Sequence, residues 1–348
     1  MHCLERNERI EGVDVVRGIA AISVVLIHSF ILPAEFSEVS FFVRMIFARF
    51  AVPFFFIVSG YFYARGVSCS DANQQFKKSF LRLSSLYIFW TVIHFLNPNF
   101  HEISQYGFVG FYSLKAIELI DSKGWLWLFF VGPTPHLWFF VALVSVIVIF
   151  HVLRFHRNIH VGLVVSFLVY SAGVLNGPYR NTPIGINLHF NTSYFIFPGM
   201  FTFSLGYFFF KEKLRWYSFS SVWGFLLFSL GMVLHFGEGF YLESWYGVKF
   251  HHDYLFSTFL MGVGAFVFGC CKAKINREHF GVRLGGYSLG IYLLQSLVVC
   301  RLGKFFDLLH IGDRVGQVVA PFFIVLFAVL VTHLMRRLFP KPMVSVII

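Results

Sequence analysis

The stretch VDVVRGIAAISVVLIH, residues 13–28, decides the fold class of this chain. Apart from Asp14, Arg17 and His28 it consists of apolar or small residues, which is typical of a membrane-spanning helix. Arg17 and His28 are eleven positions apart, almost three helical turns, so both side chains lie on one face about 16 Å apart along the axis. Ionisable residues inside a membrane usually face protein or a water-filled cavity. The pair therefore predicts a site that extends from one membrane surface towards the other.

The composition predicts that the whole chain lies in a membrane. Of its 348 residues, 57% are hydrophobic and 13% are charged, whereas soluble domains carry about 25% charged residues. We predict an all-α fold, a polytopic membrane bundle of about ten transmembrane helices, each of about 17 to 22 residues. The predicted spans are 13–32, 43–64, 80–97, 136–153, 161–177, 194–210, 217–236, 254–271, 284–300 and 315–335.

The positions of Lys and Arg predict the orientation of this bundle. With the N-terminus inside, 18 of the 28 lie in cytoplasmic segments and 7 in outer segments, while Arg17, Arg44 and Arg49 lie within helices. This bias satisfies the positive-inside rule and places both termini in the cytoplasm. It also accounts for the net charge of +11, so we predict a lipid bilayer as partner and no nucleic acid.

We predict a single membrane domain over residues 1–348, with cytoplasmic tails at 1–12 and 336–348. The outer connection 98–135 contains an apolar run at 125–131 that is too short to span a bilayer. We therefore expect a re-entrant or interfacial segment there. The five cysteines provide no outer pair, so no disulfide framework is expected.

Arg17 and His28 each allow a functional and a structural interpretation. A neutral His28 imidazole could accept a proton from a hydroxyl and return it to a leaving group, or it could tie two helices together with a hydrogen bond. Arg17 could bind a phosphate bidentately, pair with Asp14 three positions earlier, or extend to the lipid headgroups.

Three further motifs carry polar groups into the predicted helices. PFFFIVSGY at 53–61 offers the Ser59 and Tyr61 hydroxyls, although close helix packing explains the motif equally. HLWFF at 136–140 places Trp138 where an aromatic belt is also expected. GYSLGIY at 286–292 combines small residues with Tyr292. The basic connection Arg65, Lys77, Lys78 and Arg82 could hold a phosphorylated molecule or only reflect topology and anionic lipid.

The outer connections contain candidate groups for binding an acceptor molecule. Trp245 offers a stacking face and Asp253 accepts hydrogen bonds from hydroxyls, although such aromatic residues also form interfacial belts. The adjacent histidines at 251 and 252 point to different sides and have no further ligand set. We predict no metal.

Taken in order, these motifs resemble the acyltransferase 3 family of integral membrane acyltransferases. The resemblance rests on the Arg17–His28 spacing (Arg-x10-His), PFFFIVSGY at 53–61, HLWF at 136–139 and SLGIY at 288–292, from residue 9 to about 295. The chain looks most similar to short O-acetyltransferases of surface polysaccharides, including the enterobacterial common antigen type. It departs from the family where members often carry Arg-x-x-Arg and this chain reads Ser79-Phe80-Leu81-Arg82, with Lys78 one position earlier.

The resemblance implies a function in the inner membrane of a bacterium. Acetyl-CoA would be the acyl donor, bound from the cytoplasm by Arg17, Lys78, Arg82, Ser59 and Tyr61, and the acceptor would be a sugar hydroxyl of a periplasmic or cell-surface glycan. His28 would act with Arg17 as the catalytic pair, as general base or through an acetyl-imidazole. Trp138, Tyr292, Trp245 and Asp253 would bind the acceptor. A succinyl donor stays open.

Two other classes of protein are compatible with the same sequence. A transporter or flippase of glycolipids or acylated sugars would also need intramembrane charges and would explain Arg44 and Arg49, but gives no reason for the Arg17–His28 spacing. A structural membrane subunit would bury Arg and His without using them, at a cost in stability.

Overall fold

The computed structural model describes residues 9–29, 36–121, 124, 135–212, 220–250, 252–271, 275–308 and 313–340. These residues form helices and connecting turns without any strand, so the predicted all-α class is confirmed for them. The α-helices are α1 (Glu11–Ser29), α2 (Ser37–Phe41), α3 (Ala51–Cys69), α4 (Ala72–Leu96), α5 (Phe100–Asp121), α6 (Trp138–Val152), α7 (Ile159–Asn176), α8 (Met200–Lys211), α9 (Ser221–Tyr246), α10 (Thr258–Cys271), α11 (Phe280–Gly286), α12 (Ser288–Leu308) and α13 (Asp313–Leu338).

The structure supports six to seven membrane-spanning helices among the described residues. Six helical segments are long and apolar enough, and α11 with the first part of α12 makes a seventh if this pair, bent by 65°, is one span. Each of the ten predicted spans overlaps a helix, but α6, α8 and α10 have only 15, 12 and 14 residues. The count of ten and the cytoplasmic position of both termini stay predictions.

The second span contains an irregular first half. Residues 37–69 are one helical run of 33 residues, in which a π-helix at Phe42–Ile46 and a 3₁₀-helix at Phe47–Phe50 separate α2 from α3. Single π turns inside helices occur frequently at functional sites. Here the two irregular turns carry Arg44 and Arg49, two of the three arginines that the sequence places within membrane helices.

Helix α1 lies at the centre of the bundle. It buries eleven of its 19 residues and packs against α3, α10, α11, α12 and α13. Small residues allow the closest approaches: a Cβ at Gly285 would overlap the Asp14 carbonyl, and a Cβ at Gly60 would overlap the Phe203 carbonyl of α8. The glycine of the SGY motif therefore brings α3 and α8 together, as expected for small residues between membrane helices.

Polar contacts fasten the two ends of the bundle. At the end that holds the start of α1, Arg277 Nε lies 3.1 Å from Glu11 Oε1, and Arg336 donates to the Gly286 carbonyl at 2.5 Å. At the opposite end, Lys115 of α5 donates to the Phe95 carbonyl at 2.7 Å and to the Asn97 carbonyl at 3.1 Å. Helix α5 lies in the predicted outer connection, while its apolar run at 125–131 lies outside the described residues.

Candidate active site

A cavity of about 300 Å³, which we call the central cavity, lies along α1. Arg17, Ser59, Arg82 and Ser288 line it near the start of α1, and His28, Arg49, His136 and Asp253 line it near the end of α1. We call these regions the inner and outer halves, after the predicted orientation. The sequence placed Arg17 and His28 on one face of a helix, and the structure places both side chains on the wall of one cavity.

Two histidines meet in the outer half. The ring centroids of His28 and His136 are 4.3 Å apart, and the ring planes are inclined by 59°. His28 is exposed where it lines the cavity. Both ring nitrogens of His136 are buried and have no hydrogen-bond partner among the described residues. His28 is therefore accessible to a bound molecule, whereas His136 lies behind it with two ring nitrogens whose hydrogen-bonding capacity is unused among the described residues.

Tyr292 fixes the backbone that carries His136. Its hydroxyl donates to the His136 carbonyl oxygen, and its ring packs against Phe139 and Phe140, with ring centroids 5.8 Å apart in each pair. Trp138 also lines the cavity, 5.7 Å from the ring of Tyr194. The HLWF and SLGIY motifs, separated by about 150 residues in sequence, thus form one aromatic wall.

Arg49 is the buried cation of the outer half. Its side chain is 8% exposed, and its Nη1 lies 2.9 Å from Oδ1 of Asp253, whose side chain is 50% exposed. Its Nη2 contacts the sulfur of Met45 at 3.1 Å. Arg44 instead donates from Nε to the Ile27 carbonyl at 3.1 Å and is absent from the cavity lining.

A second cavity, of about 500 Å³, opens beside the start of α1, and we call it the inner vestibule. Four cationic residues line it, Arg9, Arg17, Arg65 and Lys78, together with the carboxylate of Asp14. Arg17 donates to Asp14 at 3.1 Å, and Arg9 lies 3.9 Å from the same carboxylate. Arg17 lines both cavities, so its guanidinium stands where the vestibule meets the central cavity.

The structure brings most of the predicted site residues to these two cavities. Ser59 lines the central cavity and donates to the Phe55 carbonyl at 2.7 Å. Tyr61 lines neither cavity and packs between Phe210 and Phe266, with centroids 5.3 Å from its own. Trp245 is 76% exposed near the end of α9 and also lines neither cavity.

Sequence reasoning did not assign a role to His136 or Arg49. His136 belonged to a recognised motif, but only Trp138 was selected from it. Arg49 enters the sequence analysis as an intramembrane charge that the transporter alternative would explain. In the described residues, no group of three or more His, Cys, Asp or Glu side chains is arranged to hold a metal ion.

An all-helical membrane bundle in which a basic vestibule leads to a cavity lined by two histidines has room and polar groups for group-transfer chemistry inside a membrane. The comparison with known families agrees. Residues 10–337 match the acyltransferase 3 family, described as an acyltransferase domain. The match covers nearly the whole chain, which therefore belongs to the acyltransferase 3 family.

The curated protein described as an amino-acid racemase of Enterococcus faecalis is similar to part of the chain. The two are 30% identical over 164 residues, which is 46% of this chain and 22% of the racemase. The chain thus matches about a fifth of the length of that relative. No solved structure matches the chain.

Proposed function

We propose that this membrane acyltransferase is an O-acetyltransferase. It moves an acetyl group from cytoplasmic acetyl-CoA to a sugar hydroxyl of a periplasmic or cell-surface glycan, in the inner membrane of a bacterium. The enzymes that acetylate surface polysaccharides such as enterobacterial common antigen are the members we consider nearest. One observation carries the proposal: Arg17 joins a cationic vestibule to a cavity with two histidines at its far end.

The inner vestibule fits the phosphorylated end of the donor. Coenzyme A carries a pyrophosphate and a ribose phosphate, and the vestibule offers four cations against one carboxylate. Arginine binds phosphate through two parallel hydrogen bonds, and Lys78 adds a point charge. Arg17 would hold the pyrophosphate at the entrance, with Arg82 and Ser59 farther inside. The narrow pantetheine arm would then follow α1 towards His28.

The outer half of the central cavity fits the chemistry of acyl transfer. His28 would take the proton of the acceptor hydroxyl while the hydroxyl oxygen attacks the thioester carbonyl carbon. The C–S bond then breaks, and the thiolate of coenzyme A receives the proton from His28, so that ester and free thiol are formed. General-base catalysis of this kind contributes about 10²–10⁴ in rate.

His136 is the group we propose to stabilise the developing oxyanion. Its ring lies against His28, and its two buried nitrogens have no partner among the described residues, so a turn of the ring on donor binding would bring one N–H to the thioester oxygen. The Ser59 and Tyr292 hydroxyls are less suited, because each already donates to a backbone carbonyl. Tyr61 lies outside the cavity lining.

Sided membrane vesicles test the donor and the acceptor side together. Inverted vesicles expose the cytoplasmic face, so acetyl-CoA labelled in its acetyl group should label glycan in them and should not do so in sealed right-side-out vesicles. Mass spectrometry of surface glycans from cells with and without the gene should show an acetyl-sized difference. Glycolipid movement without consumption of acetyl-CoA would favour a transporter instead.

A further inference from the structure

We propose that the acceptor carries an oxyanion, a carboxylate or a phosphate, which Arg49 binds in place of Asp253. This inference rests on the proposed function and names the chemical class of its acceptor. It is drawn from the ion pair in the outer half of the central cavity, which neither the donor site nor the transfer chemistry uses.

The two partners of this ion pair are buried very differently. Arg49 is 8% exposed and is held in the 3₁₀ turn before α3, whereas the Asp253 side chain is 50% exposed. Removing one partner of a buried pair is costly because a charge is left buried without compensation. Asp253 can move into water at little cost, but Arg49 cannot. Arg49 therefore favours an exchange in which a second anion replaces Asp253.

The guanidinium also has donors left over while Asp253 is bound. Arginine presents five N–H donors in a planar fork that matches the two oxygens of a carboxylate or phosphate. Arg49 gives one donor to a single oxygen of Asp253 and directs Nη2 at the sulfur of Met45, a weak acceptor. Its Nε is buried without a partner among the described residues. A bidentate oxyanion would satisfy this arginine better than the present contacts.

An oxyanion bound by Arg49 would lie in the same cavity as the proposed catalytic histidines. Arg49 lines the same cavity as His28 and His136. Trp138 and Tyr194 line the cavity as well and offer faces on which a sugar ring can stack. An acceptor anchored by its anion at Arg49 would thus present a nearby hydroxyl to His28.

The test uses inverted vesicles that contain the full chain, acetyl-CoA with a deuterated acetyl group, and the glycans of the host cell. Fragmentation of the labelled product should locate the acetyl group on a molecule with a carboxylate or a phosphate. Mild acid hydrolysis separates the two sources, because it releases a glycan from a phosphate-linked carrier and leaves a uronic acid in the glycan. A labelled product without either group overturns the proposal.

Matched variants connect the oxyanion to Arg49. Arg49→Gln should lower the labelled product at least tenfold, while Arg180→Gln, the same change at an exposed arginine outside the cavity lining, should leave it within about twofold. Asp253→Asn should lower the acceptor concentration needed for half-maximal labelling, because the anion that competes for Arg49 is gone. An equal loss in Arg49→Gln and Arg180→Gln, or a higher acceptor concentration needed for half-maximal labelling in Asp253→Asn, overturns the exchange.

A competition experiment covers the case in which Arg49→Gln does not fold. In detergent-permeabilised vesicles, where added sugars reach both faces, methyl glucuronide should inhibit labelling by the unaltered protein, and methyl glucoside at the same concentration should not, since the two differ in the carboxylate. Equal inhibition by both sugars overturns the proposal. Absence of any label with the unaltered protein would refute the acetyltransferase function itself, which is a different result from a labelled neutral glycan.

Discussion

The inner vestibule and the outer half of the central cavity both present arginine, but in opposite physical states. In the vestibule, the side chains of Arg9 and Arg17 are 63% and 33% exposed and share the Asp14 carboxylate. In the outer half, Arg49 is 8% exposed and has one carboxylate oxygen for itself. The Asp14 side chain is 11% exposed, so in the vestibule the anion is the buried partner and the arginines are the more exposed ones, whereas in the outer half the cation is the buried partner. The comparison suggests an inner site for capture and release and an outer site for precise positioning.

The outer half should respond most strongly to a single substitution. His28→Ala removes the proposed base, so acetyl transfer should fall by about 10²–10⁴-fold, while binding of acetyl-CoA in the vestibule stays within about twofold. Labelled acetyl incorporation and isothermal titration of the purified protein with acetyl-CoA measure the two quantities separately. A loss of acetyl transfer with unchanged affinity for acetyl-CoA would show that His28 acts in the chemical step and not in donor binding.

His160→Ala is the matched control for His28→Ala. His160 lies at the start of α7, its side chain is 71% exposed, and its nearest ion-pair partner is Glu212 at 3.8 Å. The control should retain full activity. Transfer by His28→Ala at a rate near that of the control would show that His28 is not the base.

The next largest effect is expected where the two cavities meet. Arg17→Ala should raise the KM for acetyl-CoA by about 10–100-fold, which corresponds to about 1.4–2.8 kcal/mol of lost phosphate binding at about 1.4 kcal/mol per factor of ten. The change in kcat should be much smaller, because Arg17 stands about 16 Å from His28 along α1. Steady-state kinetics in inverted vesicles would separate the two constants.

Arg9→Ala and Asp14→Asn are the controls for the vestibule. Arg9 lies near the same carboxylate but is mostly exposed, so its removal should raise the KM by no more than about threefold. Asp14→Asn removes the only carboxylate lining the vestibule among the described residues and should lower the KM. If Arg9→Ala and Arg17→Ala raised the KM for acetyl-CoA equally, Arg17 would act as one of several surface charges and would not be a specific phosphate ligand at the entrance of the central cavity.

The two regions also differ in how far the sequence predicts them. Local periodicity placed Arg17 and His28 on one face of α1, and hydropathy predicted the helical class. The same periodicity argues against joining Ser59 and Tyr61 in one pocket, because residues two apart on a helix do not face each other. The structure shows that consequence: Ser59 lines the cavity, and Tyr61 packs against Phe210 and Phe266.

The contacts of the outer half depend on tertiary packing. His28 meets His136, and Arg49 meets Asp253 across 204 positions of sequence, distances that no local pattern encodes. Helices α6, α8 and α10 illustrate the same limit. Their hydropathy predicts spans, but their lengths of 15, 12 and 14 residues depend on turns that tertiary contacts set.

Removing the Tyr292 hydroxyl tests whether the aromatic wall positions His136, and we expect a smaller effect on kcat than for His28→Ala. Tyr292→Phe keeps the ring between Phe139 and Phe140 but removes the hydroxyl that donates to the His136 carbonyl. One hydrogen bond contributes about 0.5–1.5 kcal/mol, so kcat should fall by about two- to tenfold with the KM for acetyl-CoA unchanged. A selective change in KM would place Tyr292 in donor binding instead.

The smallest expected effect is the response of the two regions to salt. Raising the ionic strength from 0.1 to 1 M shortens the Debye length from about 10 Å to about 3 Å, which weakens interactions between exposed charges more than between buried ones. The KM for acetyl-CoA should therefore rise by about two- to fivefold, while kcat at saturating donor stays constant. Arg9→Ala should lessen the salt dependence slightly, because one exposed cation has been removed. A kcat that depends on salt while the KM stays constant would contradict the assignment of donor binding to the vestibule and of acceptor positioning to the outer half.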